Sequence, residues 1–145
     1  DDCLDGKGTL TVAALYGKEF PAIINKYDAE HDLASIATSL KLKPLNLSEY
    51  EPWPGYWVAA IGSADGYEGS VAFGNVLNGT TLEILMTAPL SHGNSGGPLV
   101  DNEGNVVGTN TFGRIDEQYN GAMSLNALCA KIMECKNDLF WQVEE

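Results

Sequence analysis

The stretch His92-Gly93-Asn94-Ser95-Gly96-Gly97-Pro98-Leu99-Val100 decides how this chain is read. A serine lies between glycines, and a short apolar run follows it. Glycine permits sharp backbone bends that a residue with a Cβ resists. A bend here can aim the N–H groups of Gly93 and Ser95 into one small space. Two converging backbone donors beside a hydroxyl are what acyl transfer needs: a nucleophile, and a hole for the oxyanion it creates. Pro98-Leu99-Val100 then reads as a buried strand that fixes the bend to the core. The other reading of these residues is a hairpin turn with a surface serine.

The rest of the composition bounds the answer. The chain has 145 residues, which favours one domain, and is 44% hydrophobic, enough to bury a core. Its net charge is −12, and no cluster of Lys and Arg is present to meet phosphates. That argues against nucleic acid or an anionic membrane as a partner. No apolar run approaches a membrane span, and no signal peptide is visible. A start at Asp1 without Met is what a mature form, a processed product or a fragment shows. Of the three cysteines, Cys3, Cys129 and Cys135, one is left over if two bond. On one helix Cys129 and Cys135 point to different faces, so they are not expected to pair there. No Cys or His pair has metal-ligand spacing, so neither a metal nor a cofactor is expected. Trp53, Trp57 and Trp141 read as structural.

The pattern along the chain is that of short strands. Residues 8 to 24 alternate around a Gly17-Lys18 turn and predict a hairpin. Asn25 to His31 is polar and loop-like. Asp32 to Ala37 reads as a strand with Leu33 and Ile36 inward, a helix being the competing assignment. Lys41 to Pro54 holds three prolines and reads as a linker. Beyond it, Tyr56 to Gly62 predicts a buried strand, and Ser70 to Leu77 and Thr81 to Thr87 a pair joined by Asn78-Gly79. Pro98 to Val100, Val106 to Phe112 and Gly121 to Ser124 complete the set, with Asp101 to Asn105 and Arg114 to Asn120 as turn and loop. Ser124 is placed to cap a helix from Leu125 to about Lys136. About six strands follow Pro54, enough to close one small barrel, and about three precede the linker.

The Gly93 to Pro98 segment resembles the nucleophile motif of the trypsin-like, chymotrypsin-fold serine proteases. Asn94, and Thr87-Ala88-Pro89-Leu90-Ser91 ahead of it, look most like the HtrA branch. The similarity runs over nearly the whole chain. Trp57 to Gly62 resembles the strand that opens the family's second barrel, and Val107-Gly108-Thr109-Asn110-Thr111 the strand after the nucleophile. Asp28 and Asp32-Leu33-Ala34 match an Asp-X-X-X-Asp-Leu-Ala segment whose second aspartate is catalytic, which makes Asp32 the expected triad acid. The resemblance implies an all-β fold: a chymotrypsin-like double β-barrel with an incomplete first barrel and a short C-terminal helix. Residues 1–50 are then the remnant of the first barrel, and 51–145 the second barrel plus helix. Gly93, Asn94 and Ser95 are expected to form the oxyanion hole.

The catalytic base breaks the pattern. The family's order is His, Asp, Ser. The only histidines are His31 and His92, and neither precedes Asp32 at a useful distance. His31 reads as a solvated loop residue, and His92 as a cleft-lining one. An ungapped alignment places Asp2 where the His belongs. A carboxylate cannot replace it there: two nearby anions disfavour one another, and a carboxylate is a weak base for a hydroxyl. Three readings follow. The chain is part of a serine endopeptidase whose His and first strands lie in a removed or separate N-terminal segment, and it is inactive alone. It is a non-catalytic homologue that binds peptides in the old cleft. Or it is an unrelated barrel with a chance motif. The intact loop favours the first.

The resemblance also implies a peptide or protein substrate. Pro89 falls at the specificity-pocket floor and offers no charge, so neutral, small or medium apolar side chains are expected at the cleaved position, not Lys or Arg. Thr111, Phe112 and Gly113 resemble the strand that pairs with the substrate backbone, and Met123 narrows the pocket. A secreted or periplasmic location is expected.

Overall fold

Alternating side chains and turn residues give the chain nine strands and one helix among the residues that can be described, 9–63, 67, 69–91, 93–111, 120–133 and 135 of a computed structural model. The strands are β1 (Thr11–Ala13), β2 (Glu19–Asp28), β3 (Leu33–Thr38), β4 (Trp57–Gly62), β5 (Ser70–Gly79), β6 (Glu83–Met86), β7 (Pro98–Val100), β8 (Val106–Asn110) and β9 (Asn120–Ser124), followed by α1 (Leu125–Lys131). β1, β2 and β3 form an open antiparallel sheet. β4 to β9 close into a six-stranded barrel in the order β4-β5-β6-β9-β8-β7. The fold is all-β with a short helix, as the strand count implied.

The barrel holds nearly all of the core. Val58, Ala60, Met86, Leu99 and Leu125 are fully buried, and Leu33 joins them from the open sheet. Closure falls to β7, only three residues long, which pairs Leu99 with Ala60 on one side and with Gly108 on the other. At Gly74 a Cβ would collide with the backbone of Ala88, so the chain leaving β6 crosses β5 at van der Waals distance.

Several local expectations are corrected. β2 runs to Asp28, through residues read as a loop, and a bulge at Asn25 keeps it paired to β3. Ile36 is exposed while Leu33 is buried; the two-residue period puts positions three apart on opposite faces. The β5–β6 turn falls at Thr80, after Asn78-Gly79, where the Thr80 N–H donates to the Glu83 carbonyl at 2.9 Å. Part of the proline-rich linker is laid along the barrel: Ser48 N–H donates to Val106 C=O at 2.9 Å, and Val106 N–H to Asn46 C=O at 2.8 Å.

Ser124 caps the helix, its hydroxyl accepting from Ala127 N–H, and donates to the Thr81 carbonyl at 2.7 Å. The helix ends at Lys131, one turn or more short of the expected Lys136. That overturns the expectation for the cysteines. Cys135 lies beyond the helix, the chain turns back, and Cys129 and Cys135 form a disulfide with Cα atoms 5.6 Å apart. Trp53 is exposed, and Trp57 stacks on Phe73 with ring centroids 5.4 Å apart. Cys3 and Trp141 lie outside the described residues. Among those residues, no helix is long and apolar enough to cross a membrane.

Leu99 carries barrel closure. Leu99→Ala is expected to destabilise the fold by about 2–5 kcal/mol, read from urea unfolding. A loss below about 1 kcal/mol would mean that β7 packing does not limit stability.

Candidate functional site

The loop that carries Ser95 is built by hydrogen bonds from the amides on either side of the serine. Asn94 N–H turns inward to Ser91 C=O at 3.1 Å, and Gly96 N–H to Asn110 C=O at 2.8 Å. Among the described residues, the N–H groups of Gly93 and Ser95 have no partner. Gly93 (φ 102°) and Gly96 (φ 88°) adopt left-handed backbone that glycine accepts without strain. The result leaves Ser95 exposed and Asn94 buried.

The loop is pressed against the end of β4. Ser63 N–H donates to Gly93 C=O at 3.0 Å. A Cβ on Gly62 would lie 2.8 Å from Asn94 Cα and 2.9 Å from its Oδ1, and one on Gly97 would overlap the Ile61 carbonyl oxygen. Gly97 C=O accepts from Asn110 N–H at 2.8 Å, and its own N–H donates to Asn94 C=O at 3.1 Å. The side chain of Asn110, 1% exposed, lies against the same loop. In the sequence Asn110 stands out only as part of a strand. The available signal was a polar residue ending a run whose other large side chains are apolar.

Asp32 sits at the β2–β3 turn with its side chain exposed and φ at 55°, its N–H directed at Ala29 C=O at 3.4 Å. No hydrogen bond joins Asp32 to Ser95 among the described residues. Leu33 next to it is buried, which anchors that end of the turn. His31 is not solvated as expected: its side chain is 16% exposed, and Nδ1 lies 2.7 Å from Asp28 Oδ2. Asp28 Oδ1 accepts from Glu30 N–H at 3.1 Å. The hydrogen bond with His31 holds the Asp28 carboxyl below the usual aspartate range, against an opposing push from burial. Donor atoms of Asp28, Glu30 and His31 gather within 4.8 Å. Both oxygens of Asp28 already serve the turn, so the cluster is explained without a metal ion.

Pro89 is exposed beside buried Ala88, whose carbonyl accepts from Asn120 Nδ2 at 2.8 Å. Thr111 directs both its N–H (3.0 Å) and its hydroxyl (2.8 Å) at Gly121 C=O. These segments therefore meet around the start of β9. Met123 is buried in the barrel core. Asp2, His92, Phe112 and Gly113 lie outside the described residues.

A cavity of about 350 Å³ lies elsewhere, lined by Tyr50, Tyr56, Trp57, Asp101 and Glu103 among others. Trp57 opens β4, Asp101 follows β7, and Val107 stands near the start of β8. The Ser95 loop touches the other ends of these three strands. The cavity is thus at the opposite end of the barrel from the serine.

The chain is similar to known proteins in sequence and in fold. A family model described as a trypsin-like peptidase domain matches residues 1–108. Human serine protease HTRA3 is 33% identical over 122 residues, 74% of this chain and 27% of that protein. The anti-sigma-I factor RsgI9 of Acetivibrio thermocellus is 29% identical over 127 residues, 83% of this chain and 18% of that protein. Among solved structures, the HtrA-type protease AlgW with a decapeptide superposes with a TM-score of 0.75 at 29% identity, covering 83% of this chain and 42% of that one. The chain therefore spans less than a third of the length of these two curated relatives.

The Asp28 pairing has a signed consequence for stability. A carboxyl whose folded pKa is depressed stabilises the fold above its unfolded titration range, and that contribution is lost as pH falls through the depressed value. The stability gap between the wild type and Asp28→Asn is expected to narrow as pH falls through the ordinary aspartate range and below. Urea unfolding at a series of pH values measures it; a gap independent of pH would contradict the pairing.

Proposed function

This chain belongs to the trypsin-like peptidase family, in its HtrA-like branch, and from that premise we propose that its Ser95 loop is the acyl-transfer centre of a serine endopeptidase. One observation carries the reading. The loop turns Asn94 N–H inward and, among the described residues, leaves Gly93 N–H and Ser95 N–H without partners beside an exposed hydroxyl. That is the donor arrangement a tetrahedral oxyanion requires.

In the complete enzyme, Ser95 attacks the peptide carbonyl. A histidine takes its proton and passes it to the leaving amine, and Asp32 orients that histidine and stabilises the imidazolium. Gly93 and Ser95 N–H hold the oxyanion, with Asn94 shaping the bend. Asp32 is suited to this because its carboxylate is not engaged among the described residues, whereas Asp28 is committed to His31. The base comes from outside these 145 residues, since Asp2 stands at the matching position, and the chain alone is inactive. The exposed Ile23 and Ile36 support residues 1–50 as a partial first barrel that upstream strands complete, with 51–145 as the second barrel and helix. The disulfide between Cys129 and Cys135 supports a secreted or periplasmic location. One observation favours the second reading, a relative that binds peptides without turnover: neither histidine precedes Asp32 at a useful distance.

The substrate is a peptide or protein with a neutral, small or medium apolar residue at the cleaved position. Pro89 brings no charge to the expected pocket floor, and the family resemblance assigns His92, Thr111, Phe112 and Gly113 to substrate contact. In a peptide library, cleavage mainly after Arg or Lys would refute this pocket.

A serine-directed phosphonate on the full-length protein tests the chemistry. Ser95 is expected to be modified, and Ser95→Ala to lower kcat by about 10⁵–10⁶-fold. Restoring the upstream strands to the 145-residue chain is expected to restore turnover. Peptide affinity without turnover or labelling in both forms would favour the binding reading instead.

A further inference from the structure

The carboxamide of Asn110 reaches three carbonyl oxygens from three separate segments. Its Nδ2 lies 3.4 Å from Ile61 O at the end of β4, 3.4 Å from Asn94 O in the loop, and 3.3 Å from Pro98 O at the start of β7. Its backbone grips the same loop, accepting from Gly96 N–H and donating to Gly97 C=O, both at 2.8 Å. Asn110 thus holds the loop on both sides of Ser95.

We propose that Asn110 is the positioning residue for the oxyanion hole, locking the Asn94–Ser95 peptide so that Ser95 N–H faces the reacting carbonyl. The proposal rests on the reading of Ser95 as nucleophile. The physical link is the planar trans peptide, in which C=O and N–H point in opposite directions. Asn94 C=O is drawn inward by Asn110 Nδ2 and Gly97 N–H. Ser95 N–H on the same peptide is thereby turned outward, beside the Ser95 hydroxyl.

The orientation of the carboxamide is forced. Reversed, Oδ1 would face three carbonyl oxygens with no proton between them. In the present orientation Oδ1 is buried and has no partner among the described residues. Burying an unpaired acceptor is unfavourable, and an apolar side chain would fill the end of β8 without that cost. Packing alone therefore gives no reason for an amide here. A donor that holds Asn94 C=O does. The two Nδ2 hydrogens are shared among three acceptors, which accounts for contacts longer than the usual amide bond.

The test uses the full-length protein with Asn110→Asp, which keeps the shape and replaces the donor, and Asn110→Ala. On peptide substrates, kcat is expected to fall about 10²-fold with KM within about threefold, as for loss of an oxyanion donor. Val107→Ala, a buried change in the same strand, is expected to lower thermal stability and leave kcat of the folded protein unchanged. A rise in KM with kcat preserved in the Asn110 variants would overturn the proposal. Amide hydrogen exchange by NMR reads the clamp without catalysis. Gly96 and Gly97 N–H are expected to exchange at least tenfold faster in the variants, with β4–β5 amides unchanged. A uniform rise across the barrel, or none, would overturn it. If neither variant folds, the wild-type Asn110 side-chain amide decides: slow exchange supports the clamp, and exchange at the rate of exposed Asn78 overturns it. Wild-type protein that is never labelled at Ser95 but shows the protected loop would sink the protease reading and leave the clamp as a fold device.

Discussion

Two stretches of backbone pass so close beneath Ser95 that no side chain can come between them. Gly62 and Gly97 are the points of contact, and a Cβ at either would run into the chain opposite. That contact sets the site and the fold together. It brings the loop against the end of β4, delivers the chain at Pro98 to the start of β7, and so lets a three-residue strand close the barrel. Much of the rest follows. Leu99 enters the core between β4 and β8, and Asn110 arrives at the end of β8 beside the loop.

What could be read from the sequence was what local sterics and short periods determine. The glycines around Ser95 announced a bend because only they accept left-handed backbone cheaply, and two of them do adopt it. Alternation announced the strands, and their number announced a barrel. Boundaries were less legible. Asn25 looked like loop and became a bulge, because pairing with β3 continues on both sides of it. The helix ends before its apolar spacing does, at Lys131, where the chain turns back to form the disulfide. The reach of Asn110 was not legible at all. Its three acceptors lie 12 to 49 residues away and meet only once the barrel has closed.

The β2–β3 turn shows how two similar carboxylates are given different tasks. Asp28 is fastened by His31 and the Glu30 amide, and its side chain holds the turn. Asp32, four residues later, spends its backbone on the turn and leaves its carboxylate exposed. The first shapes the corner and the second is presented by it. His31, read from the sequence as a solvated loop residue, is instead paired to Asp28 within the same turn.

The open sheet carries a liability that the barrel does not. A closed barrel has no rim of unpaired strand, but among the described residues β1 and β3 each end the three-stranded sheet with one side unmatched. Ile23 on the central strand and Ile36 on the β3 edge strand stand exposed on that sheet. Such an edge is a template for any other extended chain, including a second molecule of this one. Covering such an edge is as much a matter of solubility as of chemistry.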